Sequence, residues 1–104
     1  MAALTQISDG ELLEKVKKIL GITGTANDDS LTLLIADAKY YLADAGVHEI
    51  AVNGEAAIGV ITRGVADTWN LGSGTVKLSP YFKERAAQIA LTYPKSEDLE
   101  ASDV

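Results

Sequence analysis

The chain has 104 residues, 47 % apolar and 23 % charged, the composition of one folded domain with a single core and far from that of a disordered chain. Its formal charge of −6 is uneven, because Glu97, Asp98, Glu100 and Asp103 fall in the last eight residues and leave the remainder mildly acidic. Nine basic residues scattered among fifteen acidic ones make no basic stripe for phosphates, and zero cysteines exclude a disulfide framework, thiolate catalysis and cysteine-bound zinc.

The N-terminus shows no basic start leading into an apolar run, and no stretch approaches the roughly 18 apolar residues of a membrane span. The chain is therefore expected to avoid membranes and to be made in a cytoplasm, where virion proteins also begin. Ser8 and Glu11 have the spacing of a capping box, and Leu12, Val16, Ile19 and Leu20 follow at helical period. They predict a first helix from Ser8 that stops at Gly21. Residues 21–27, rich in Gly and Thr, read as a loop, and Asn27, Asp28 or Asp29 can accept the first free amides of a second helix. That helix carries Leu31, Leu34, Ile35, Ala38, Leu42 and Ala45 on one stripe, with Asp37, Lys39 and Asp44 off it, and ends at Gly46. Apolar residues in 47–53 are irregularly spaced. A short extended piece or a packed loop fits them, and a loop is the expected form.

A third helix, from about Gly54 to Asn70, aligns Ala57, Ile58, Ile61, Val65 and Trp69 on one face. Val60 and Ala66 broaden that face, so this helix is expected to be central. Gly59 and Gly64 within it each cost about 1 kcal/mol relative to Ala, which points to close approach of another backbone or to a kink. Residues 71–78 contain Gly72, Ser73 and Gly74 and read as a flexible loop, in which Thr75, Val76 and Lys77 can extend. Ser79 as N-cap and Pro80 at the first helical position open a fourth helix with Phe82, Ala86, Ile89, Ala90 and Tyr93 as its buried face. The expected fold class is all-α. Residues 1–94 form one bundle of about four helices with a flexible Gly-rich loop between the third and fourth, and residues 95–104 form a mobile acidic tail.

No catalytic, cofactor-binding or metal site is expected. His48, the single histidine, would need partners from distant sequence to act as a base or ligand and reads as a surface or structural residue. Asp28 and Asp29 run directly into Leu31 and lack the alternating oxygens of a calcium loop. The glycine pairs 54/59 and 59/64 have phosphate-loop spacing, but Val60 and Val65 stand where Lys is required. A helix-turn-helix reading would open its recognition helix with two carboxylates facing phosphates. Tyr40 and Tyr41 point about 100° apart on a helix, so one of them is expected to face outward.

In Asp67, Thr68, Trp69 and Asn70, then Gly72, Ser73 and Gly74, then Leu78 through Arg85 (Ser-Pro-Tyr-Phe-Lys-Glu-Arg after the Leu), the sequence resembles head-tail connector proteins of tailed bacteriophages and prophages. The order of helices fits that family over about residues 8–93. The resemblance implies a structural adaptor without an active site, located in the virion at the head-tail interface. It would form a homo-oligomeric ring of about a dozen copies beneath the portal protein and meet the next head-completion or tail protein, with DNA only as passing cargo. On this reading Trp69, Tyr81 and Phe82 are the candidate anchors around the loop, and Lys77, Lys83 and Arg85 the candidate partners for acidic neighbours. The rival readings are a small regulatory or DNA-binding helical protein and, behind it, an enzyme subunit whose carboxylates are scattered beyond recognition.

Overall fold

The computed structural model of the chain describes residues 5–71 and 79–95. Among these residues the elements are α1 (Asp9–Leu20), α2 (Asp28–Asp44), a short α3 (Glu49–Val52), a 3-10 turn (Glu55–Ala57), α4 (Ile58–Leu71) and α5 (Pro80–Thr92), with no strand. The expected all-α bundle of four long helices is what forms. The expected extended piece at residues 75–77 and most of the expected tail, residues 96–104, lie outside the described residues.

Local chemistry sets three of the helix ends. The Ser8 hydroxyl accepts the Glu11 N–H at the start of α1, and Gly21 stops that helix with φ 72°, a conformation that only glycine adopts without a Cβ clash. Ser79 accepts the Phe82 N–H at 3.1 Å, with Pro80 at the first position of α5. The start of α2 differs from expectation. Asn27 is its cap residue, yet no amide bonds to the Asn27 side chain, and Asp28 turns instead to Lys17 of α1.

Residues 47–53, expected to be a loop, hold α3. The His48 ring caps it, with Nδ1 accepting the Ile50 N–H at 3.1 Å, and Ala51 and Val52 are buried. The spacing of apolar residues could not indicate this helix, because both chain ends hold it in place. The Ile7 N–H donates to the Asn53 carbonyl (2.9 Å) and the Glu55 N–H to the Thr5 carbonyl (3.0 Å). On the other side the His48 N–H donates to the Tyr93 carbonyl (2.8 Å) and the Lys95 N–H to the Gly46 carbonyl (3.0 Å). Each pair of bonds flanks a single antiparallel bridge, Gln6 with Gly54 and Val47 with Pro94.

As its broad apolar face predicts, α4 is the centre of the bundle and packs against α1, α2 and α5. Val16, Leu31, Leu42, Val47, Ile61, Val65 and Phe82 are fully buried, and each large side chain removed from water contributes roughly 1.5–3 kcal/mol. Ile19 departs from its stripe: it is 64 % exposed, while Lys17 is only 6 % exposed. Helical spacing fixes a side chain's direction about the axis, not how far along the axis a neighbouring element extends. No helix among the described residues is long and apolar enough to cross a membrane.

Candidate functional site

The corner between α4 and α5 gathers Gly64, Tyr81 and Phe82, three of the residues that the sequence singles out. Phe82 projects from the first turn of α5 and is fully buried. Its ring meets Tyr41 of α2 edge to face, with centroids 5.0 Å apart, and lies over Gly64 of α4. A Cβ on Gly64 would come within 2.6 Å of the Phe82 ring. Gly64 therefore does mark a close approach, by an aromatic side chain and not by a backbone. Gly59 does not, since nothing lies within 4 Å of its Cβ position.

Asp67 closes the same corner from its polar side. One carboxylate oxygen accepts the Ser79 N–H at 3.0 Å, and the other faces Arg63 Nε at 3.3 Å. The Arg63 guanidinium lies over the Tyr81 ring, 5.4 Å from its centroid, a favourable cation–π placement. The chain of contacts from Ser79 through Asp67 and Arg63 to Tyr81 thus joins the two sides of residues 72–78. Asp67 belongs to the stretch that carries the family resemblance, but the sequence alone gives neither it nor Arg63 a role. The available signal is their i,i+4 spacing near the end of α4.

The six candidate residues divide into separate places. Phe82 faces inward, Trp69 is half-buried against the core, and Tyr81 is 55 % exposed. Arg85, half-buried, donates to the Gln88 side chain. Tyr81 and Arg85 lie four residues apart on one flank of α5, whereas Lys83 is exposed about 160° around the axis from Tyr81. Lys77 lies outside the described residues. The corner therefore groups Arg63, Tyr81 and Arg85 and leaves Lys83 on another side.

The other charged clusters hold the fold. Lys17 donates to the Gly24 carbonyl and faces a buried Asp28 oxygen at 2.8 Å, which pins the loop between α1 and α2. Hydrogen bonding to the Asp28 carboxylate holds the Lys17 ammonium above its ordinary pKa. Lys39 joins α1, α2 and the end of α3 by donating to Asn53 Oδ1 (2.9 Å) and Asp9 Oδ1 (3.1 Å). A hollow of about 410 Å³ beside Lys39 has Leu13, Ile35, Asp9 and Asn53 in its lining, and its two charges pair with each other. Among the described residues no three His, Asp or Glu side chains converge as they would around a metal ion.

A family model for the phage gp6-like head-tail connector protein matches residues 11–97. Searches of curated proteins and of solved structures found no match.

Proposed function

The chain belongs to the phage gp6-like head-tail connector protein family, and from that premise we propose that it closes into a ring beneath the portal and continues the DNA channel towards the tail. The observation that carries this reading is the extent of the match, which runs from α1 to beyond α5 and so covers the whole packed bundle. The family is one of structural virion components, and the polar groups of this chain suit such a role. His48, Lys17, Lys39 and Asp67 each hold backbone or a neighbouring helix. Its partners are further copies of itself, the portal protein and the next head-completion or tail protein. A chain with a formal charge of −6 repels phosphates, which lets DNA pass without being held. On this reading residues 1–94 are the ring-forming domain, and residues 95–104 are an acidic tail available to neighbours.

Light scattering over a wide concentration range, with electron micrographs of any large species, tests the proposal. A closed ring of about a dozen subunits, formed by the purified chain or on purified portal rings, is the expected result. A chain that stays monomeric in both settings and is retained on DNA in a salt-dependent way would replace the connector reading with the DNA-binding one.

A further inference from the structure

The total charge conceals a segregation along the chain. Residues 5–57 hold nine acidic and four basic side chains, a balance of −5, whereas residues 58–95 hold five basic and two acidic, a balance of +3. In the acidic half, Asp29, Leu33, Asp37, Tyr40 and Asp44 fall within an arc of about 80° on α2. All five are exposed, Leu33 by 69 % and Tyr40 by 71 %. None of these aspartates has an ion pair among the described residues, and Lys39, the only cation on α2, is turned towards Asp9 and Asn53. This face combines apolar contact area with uncompensated negative charge.

The basic half presents the counterpart. Arg63 lies across Tyr81 with its side chain 51 % exposed and pairs with Asp67 at 3.3 Å, while Arg85 on the same flank of α5 bonds to the neutral Gln88 and has no ion pair among the described residues. Glu84, the single carboxylate on α5, is exposed about 60° around the axis from Tyr81 and borders this flank. Tyrosine and arginine are, with tryptophan, the residues enriched at the energetic centres of protein interfaces.

We propose that these two surfaces bind one another between copies of the chain, the Arg63, Tyr81 and Arg85 flank of one copy resting on the acidic α2 face of the next. This inference rests on the connector reading and names the contact by which the ring closes. Contacts that set the aspartates of α2 against themselves, or the arginines against themselves, bring like charges together and are opposed. A head-to-tail contact sets opposite charges together, repeats from copy to copy, and closes into a ring when the rotation permits.

The test uses the full chain, alone and on purified portal rings, as wild type, as Asp37→Arg, as Arg85→Glu, and as an equal mixture of the two variants. Helicity by circular dichroism checks that each folds, and Asp44→Arg serves as a second variant on the α2 face. Each variant alone is expected to associate at least about tenfold more weakly than wild type. The mixture is expected to recover, because each altered surface then meets its altered counterpart. Raising salt from about 50 to 500 mM is expected to weaken the wild-type contact. Rings formed equally well by wild type and both variants, or a mixture no better than its components, would overturn the docking and leave the connector reading standing. No ring from wild type in either setting would overturn both.

Discussion

Two connections turn this chain back on itself, and in each a charged side chain reaches across to the backbone. Between α1 and α2, Lys17 donates to the Gly24 carbonyl and faces Asp28. Between α4 and α5, Asp67 accepts the Ser79 N–H and faces Arg63. The first arrangement turns inward, since Lys17 is buried and its charge is met by Asp28. The second continues outward through Arg63 to an exposed tyrosine. The same device therefore only holds when it is buried, and both holds and displays when it reaches the surface.

Removing the apolar support of the outward corner is expected to have the largest effect. Phe82→Ala deletes a fully buried ring and is expected to cost about 3–5 kcal/mol in urea unfolding; a loss below about 1 kcal/mol would mean that the corner does not rest on packing. At Gly64 the added Cβ of Gly64→Ala meets that ring at 2.6 Å. An overpacking cost of about 1–3 kcal/mol is expected to outweigh the helix-propensity gain of about 1 kcal/mol. Asp67→Ala should cost about 1–2 kcal/mol and speed hydrogen exchange at the Ser79 amide while leaving that of the loop between α1 and α2 unchanged. Equal acceleration in both loops would break the comparison. Gly59→Ala, with open space around it, is expected to change sign and stabilise by up to about 1 kcal/mol.

The inward clasp has its own signature, confined to high pH. Because the folded state raises the Lys17 pKa above its ordinary 10.5, the stability it contributes is complete below that value and is lost as pH rises through the folded pKa. Stability measured against pH should show this alkaline decline in wild type and less of it in Lys17→Met. Identical alkaline profiles would show that the buried pair does not couple to folding.

The ends of α1 and α5 were legible because Ser8, Gly21, Ser79 and Pro80 act on backbone groups within a few residues. The helix α3 was not, because its neighbours come from residues 5–7 and 93–95. Lys17 resembles any solvated lysine until the fold brings the Gly24 carbonyl and Asp28 to it. At the candidate site, Tyr81 and Phe82 were legible as a pair, but adjacent helical residues point about 100° apart, so one became core and the other surface. The roles of Arg63 and Asp67 depend on partners beyond residues 72–78, which no local pattern can bring near. The acidic tail drew attention as a block of like charge, while the opposition between α2 and α5 is spread too thinly along the chain to stand out before folding.

The two single bridges at α3 have a mechanical consequence. One grips the chain just before α1 begins and the other just after α5 ends, so a pull on either terminus reaches this four-residue helix before it can peel a long one. Two pairs of backbone bonds are the force-bearing links, placed on opposite sides of the same short element. This four-residue helix is thereby the element through which tension from either end would enter the bundle, at its N-terminal side through Val47 and His48 and at its C-terminal side through Asn53 and Gly54.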